Sequence, residues 1–203
     1  MIEYIREIDT TKWGEEQKNN IKEYKGKPGV WILLGKEHTD APLVCLQVGA
    51  TKYIGEEIER DIFFLNQSKE PEKEDNDYVN QFGEHMFSYK ICPGRAQVLY
   101  WDISKKYTDL IFICVAHGDG LENKELRKDI EKYVAYRTLS RYWVNGGQYK
   151  GDKSEEEIKS IKESCKKECA GLFEKIKRNY KGADMLNEFL NNLIEGKIEV
   201  ADC

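Results

Sequence analysis

The runs Pro28-Gly29-Val30-Trp31-Ile32-Leu33-Leu34 and Leu43-Val44-Cys45-Leu46-Gln47-Val48-Gly49, with the turn-like segment from Gly35 to Pro42 between them, decide the fold of this chain. Each run is continuously apolar and of strand length, and the link between them is polar, so the pair predicts an antiparallel hairpin. Upstream, a short helix is expected around Glu15 to Tyr24, stopped by the breaker Gly26-Lys27-Pro28-Gly29. Downstream, Ile54, Ile58, Asp61-Ile62 and Leu65 recur at helical spacing, which predicts a helix from Lys52 to about Leu65.

Beyond that helix, Asn66 to Asn80 contains SKEPEKEDND and almost no apolar residue, the pattern of a surface loop. Ala96 to Ile103 and Leu110 to Ala116 read as two further strands. Glu125 to Trp143 reads as a helix with Leu126, Ile130, Tyr133, Val134 and Leu139 on its apolar side, ended by Asn145-Gly146-Gly147. Ser154 and Glu157 form a capping-box pattern ahead of the stripe Ile158, Ile161, Cys165, Cys169, Leu172, Phe173 and Ile176, and a last helix runs from about Met185 to Ile194. The fold class predicted is α/β (α+β): a small antiparallel or mixed sheet flanked by helices. Residues 1–150 are expected to form the α/β domain and residues 151–203 a helical extension packed on it.

The composition fits a folded domain: of 203 residues, 40% are hydrophobic, 11% aromatic and 34% charged. A net charge of -5 supplies no long-range basic field, so any contact with nucleic acid has to come from a local patch. No apolar run approaches the roughly 18–20 residues that span a bilayer, and MIEYIREIDTTKW is too polar for a signal peptide, so a cytoplasmic chain with no membrane partner is expected. Six cysteines in such a chain are expected to be reduced thiols; Cys45, Cys92 and Cys114 lie in apolar segments and read as core. Cys165 and Cys169 share a helix face without a second Cys/His pair to complete a zinc site. Of three histidines, His117 is the best placed for a site because it follows a strand.

Walker A, G-x-S-x-G and H-E-x-x-H signatures are absent from the sequence. The P-G-V-W strand, the L-Q-V-G-A-T-K strand and the helix after them resemble the GIY-YIG nuclease superfamily, over about residues 24–147. In that family a P-G-V-Y strand pairs with a Y-V-G-K-x-K strand, and a later helix carries a metal-binding glutamate followed by an asparagine; Glu131 and Asn145 fall at those places. The resemblance implies a metal-dependent endonuclease acting on DNA or RNA, with one Mg²⁺ or Mn²⁺ held by Glu131 and retaining most of its waters. It also exposes departures. The first family tyrosine falls on Trp31, whose indole donates but cannot accept a proton. The second falls on Gln47, and the helix arginine falls on Glu57, of the wrong sign to stabilise a phosphoryl transition state.

A rewired centre is conceivable on the residues themselves. Tyr53, Glu57 and Arg60 are spaced i, i+4, i+7 and share a helical face, so a phenol from Tyr53 and a cation from Arg60 would join Glu131; a solvated face is the plainer reading. Lys132, Arg137 and Arg141, interleaved with Tyr133, Tyr136, Tyr142 and Trp143, suit phosphate contact and base stacking, or equally a helix whose aromatics pack inward. The alternative function is a GIY-YIG-fold binding or assembly module without catalysis, and the C-terminal helices are the expected route to a homo-oligomer.

Overall fold

The computed structural model describes residues 3–4, 21–67, 70, 73–89, 95–118, 120–143, 149–150 and 153–198. The predicted hairpin is present: strand β2 (Gly29–Lys36) pairs antiparallel with β3 (Val44–Thr51), with Val30 opposite Ala50 and Trp31 opposite Gly49. On its other edge β2 pairs antiparallel with β6 (Thr108–His117), and β6 pairs with the two-residue β1 (Glu3–Tyr4). The sheet order is β1-β6-β2-β3, so β2 is an inner strand.

An inner strand covered on both faces has to be apolar at every position, which is why 30–34 shows no alternation. Val30, Ile32 and Leu34 enter one core cluster, and Trp31 and Leu33 enter the other. The second cluster is closed by helix α1 (Ile54–Leu65) through Ile54, Ile58, Ile62 and Leu65, and by helix α2 (Arg95–Lys106) through Val98, Leu99, Tyr100 and Ile103. The first is closed by α3 (Lys124–Thr138), α4 (Glu155–Asn179) and α5 (Ala183–Ile194). The result is a mixed α/β architecture with helices on both sides of an antiparallel sheet. A smaller antiparallel sheet, order β5-β4-β7, combines β4 (Lys73–Val79), β5 (His85–Tyr89) and β7 (Tyr149–Lys150).

Three expectations are corrected. Ala96–Ile103 is not a strand but the body of α2, where Val98 through Ile103 are all buried. A short run apolar on every side has no period to separate a buried helix from a buried strand, and here the helix prevails. Lys73–Val79, expected as loop, is a strand because its backbone is paired on both edges, by β5 and β7; pairing overrides the weak strand propensity of KEDNDYV. The helix expected to reach Trp143 ends at Thr138, with Leu139 in the left-handed region at φ 50. The backbone is drawn out of the helix onto the outer edge of β3: Arg141 N donates to Cys45 O at 3.1 Å, Tyr142 N to Leu46 O at 2.7 Å, and Ser140 Oγ to Leu46 O at 3.0 Å. These bonds cover an edge that would otherwise present unpaired groups to solvent. The stop at Asn145-Gly146-Gly147 lies outside the described residues, as does Cys92.

Helix α4 carries the expected capping box, with Ser154 Oγ accepting from Glu157 N and Glu157 Oε2 from Ser154 N. Its Cys165, Cys169 and Ile176 are buried, as are Leu186, Phe189 and Leu190 of α5. No helix among the described residues is long and apolar enough to cross a membrane.

Gly49 lies under the indole of Trp31: a Cβ added there would sit 2.4 Å from ring carbons. Gly49→Ala is expected to cost about 1–3 kcal/mol, the range for overpacking a filled core. Gly171→Ala, on exposed α4 with open space around the new methyl, is expected to add up to about 1 kcal/mol. Urea unfolding of the two variants against wild type checks both signs; a neutral Gly49→Ala would contradict the Trp31 packing.

Candidate functional site

The positions singled out by the sequence fall around the start of the sheet and its two flanking helices. Trp31 is buried, its ring edge-on to Phe112 at 5.3 Å between centroids. Its Nε1 has no hydrogen-bond partner among the described residues. Gln47 stands opposite Leu33 on β3, and its Oε1 accepts from Val48 N at 3.1 Å. Tyr53 is the N-cap of α1, with its ring half-exposed and its phenol making no hydrogen bond among the described residues. Asn145 lies outside them.

Arg60 does not turn towards Tyr53 but back onto Asp61. Its Nε and Nη2 donate to Asp61 Oδ1 at 3.2 and 3.0 Å, while Glu57 Oε1 lies 3.8 Å from Nη2. Asp61 Oδ2 accepts from the hydroxyl of Tyr100 at 2.7 Å. Asp61 is 1% exposed, an acid inside the apolar stripe of α1. Burial pushes its carboxyl up from 3.8 to about 7, against the opposing pull of Tyr100 and Arg60, and the charge of Glu57 adds to the rise. Burial and the neighbouring carboxylate also raise the Tyr100 phenol.

Glu131 is 8% exposed, and both its oxygens are engaged: Oε2 accepts from Lys128 Nζ at 2.6 Å and Oε1 from Trp143 Nε1 at 3.3 Å. Burial raises its carboxyl, Lys128 opposes that rise, and the charge of Glu57 contributes to it. Glu57, on α1, therefore acts electrostatically on both Asp61 and Glu131, residues that the sequence holds far apart. Among the described residues no group of three or more His, Cys, Asp or Glu converges in a way that would hold a metal ion.

The three cations expected to bind phosphate do not form one free face. Lys132 pairs with Glu168 Oε2 at 2.7 Å and sits over the Tyr136 ring at 5.0 Å. Arg137 reaches α5, donating to Asn187 Oδ1 at 2.8 Å and Asn191 Oδ1 at 2.6 Å, and to Tyr133 Oη at 3.0 Å. Arg141 points elsewhere, to Glu37 and to Tyr107 Oη at 3.0 Å. The aromatics between them pack inward, with Tyr133 1%, Tyr142 3% and Trp143 4% exposed.

A second feature had no advance signal. A polar cleft of about 530 Å³ opens between β3, the end of α2, the turn after α3 and the N-terminal part of α4. Asn80, 1% exposed, organises one wall: its Oδ1 accepts from Phe82 N and Glu84 N, both at 2.9 Å, and its Nδ2 donates to Arg141 O at 3.0 Å and Glu84 Oε2 at 3.3 Å. Glu84 in turn accepts from Lys162 of α4. Behind another wall, Tyr142 donates its hydroxyl to buried Asp102 Oδ2 at 2.6 Å, and Lys106 pairs with the same oxygen at 2.9 Å. Cys45 lies at the floor with its thiol pushed up to about 11 by burial, so no thiolate faces the cleft near neutrality. Sequence reading missed Asn80, Asp102 and Asp61; the only available signal was an acid within an apolar stripe, which is plain for Asp61. No family model, curated protein or solved structure matches the chain.

Asp61 generates a pH prediction. Its folded-state value of about 7 lies above the ordinary 3.8, so the folded chain holds this proton more firmly than the unfolded one. The stability it contributes is complete below about pH 4 and is lost as pH rises through 7. Relative to Asp61→Asn, wild type is expected to lose up to roughly 1.4 kcal/mol per pH unit across that window, then level off. Unfolding both proteins in urea from pH 4 to 8 measures this; a difference independent of pH removes the assignment.

Proposed function

We propose that the chain is a GIY-YIG-like α/β module that binds a partner and does not cleave phosphodiesters. What supports the resemblance is the element order of a two-stranded hairpin, a helix and a later helix bearing Glu131.

The observation that carries the non-catalytic reading is the environment of Trp31. The position where the family keeps a water-activating tyrosine holds a buried indole packed on Phe112 and over Gly49, with no hydrogen-bond partner among the described residues. An indole neither accepts a proton nor orients a water through a lone pair. The residues present also do not suit the single Mg²⁺ or Mn²⁺ that the resemblance implies, because both oxygens of Glu131 already accept hydrogen bonds and burial favours the neutral acid. Lys132, Arg137 and Arg141 reach towards three different parts of the chain, Glu168, the amides of α5, and Glu37 with Tyr107, so they do not line one extended phosphate track.

The expected outcome of incubating the protein with plasmid, single-stranded and duplex DNA, and RNA, in Mg²⁺ or Mn²⁺, is no cleavage above a metal-free control. Metal-dependent cutting that disappears in Glu131→Gln would overturn this reading and restore the endonuclease.

A further inference from the structure

We infer that the cleft beside β3 is a binding site for a small phosphate-bearing ligand of mononucleotide size. The inference deepens the binding-module reading by naming its ligand. The cleft volume of about 530 Å³ lies within the range of small-molecule sites. Its polar walls are rich in donors: Lys106 from the end of α2, Arg141 from the turn after α3 and Lys162 from α4 come from three separate elements, and among the described residues Glu84 is the one carboxylate in the lining. A donor-rich wall selects a ligand rich in acceptors, and three cations select an anion.

Each cation already has a carboxylate partner, so a ligand has to compete with those pairs. Two of the pairs, Arg141 with Glu37 and Lys162 with Glu84, have side chains about a third to a half exposed, where ion pairs contribute little and exchange readily. Among the described residues Arg141 bonds through Nη1 only, to Glu37 and Tyr107, which leaves Nε and Nη2 of the guanidinium for a bidentate contact with a phosphate. The C-terminal ends of α2 and α3 border the cleft, and their partial negative charge disfavours an anion, but charge-assisted hydrogen bonds from Arg and Lys are the stronger effect. The backbone at Arg141 is held by Cys45 O and by Asn80 Nδ2, so the guanidinium is carried on a fixed support. A concave site of this size admits one nucleotide or sugar phosphate and not a duplex.

Calorimetric titration of the intact chain with AMP, ADP, glucose 6-phosphate and inorganic phosphate, in buffer free of divalent metal, tests the site. At least one phosphate ester is expected to saturate at one per chain. Its affinity should fall about tenfold or more in Arg141→Gln and again in Lys162→Gln, as loss of one charge-assisted contact predicts. Lys175→Gln, which removes a surface pair with Asp129, is the control expected to bind as wild type. Melting curves establish that the variants fold. Absence of saturation by every probe at millimolar concentration, or affinity unchanged in both cleft variants, overturns the site while leaving the non-cleaving reading intact. A single-stranded oligonucleotide that binds more tightly than the mononucleotides and is weakened by the same substitutions overturns the small-ligand assignment in favour of nucleic acid.

Discussion

Strand β2 has no side that faces solvent, and the rest of the molecule is arranged to meet that constraint. Its edges are taken by β3 and β6, and its faces by two helical layers that never meet through the sheet. Burying every residue from Val30 to Leu34 supplies apolar area on both sides at once, and α1, α4 and α5 are amphipathic because each has only one layer to cover. The same constraint leaves no room for a titrating group at position 31. A large ring is needed there to fill the space beneath α1, and it fits because the residue opposite is glycine.

What was legible in the sequence follows from this. The hairpin, α1, β6, α3 and the capping box of α4 could be read because a period, a breaker or a cap marks each one in the local sequence. Helix α2 could not, since Val98 to Ile103 is buried on all sides and leaves neither period. Strand β4 could not, because KEDNDYV has weak strand propensity and one of its two partners, β7, is remote in the chain. The early end of α3 is likewise a tertiary effect: nothing in Leu139-Ser140-Arg141 announces a left-handed residue, and the carbonyls of Cys45 and Leu46 that draw the chain aside lie some ninety positions earlier. At the candidate site, the sequence located Glu131 and Trp31 but not their surroundings. Whether Lys132 or Arg137 faces solvent is decided by Glu168, Asn187 and Asn191, which belong to helices whose docking no local pattern specifies.

The buried polar groups divide into two kinds. Asp61 with Tyr100 and Asp102 with Tyr142 are phenol-to-carboxylate pairs of similar length, each inside apolar packing and each joined by a cation at its outer side. Such pairs fix relative positions of helices more than they add stability, because desolvation of the acid offsets most of the attraction. Asn80 is different. It carries no charge, uses both ends of its amide and ties its own turn, through Phe82 and Glu84, to the chain at Arg141, a device that sets loop shape at little electrostatic cost.

The strand order also has a consequence for how the chain is made. During synthesis β2 and β3 leave the ribosome as neighbours, but the strand that covers the other edge of β2 begins at Thr108 and follows the whole α1–α2 region. Until it arrives, the nascent hairpin presents an apolar open edge, the kind of surface that pairs with other chains. The long separation between β2 and β6 in sequence makes their closure a slow, non-local step. The acidic, weakly apolar stretch SKEPEKEDND sits between these strands, so the chain is most strongly charged during the interval in which its core is most exposed.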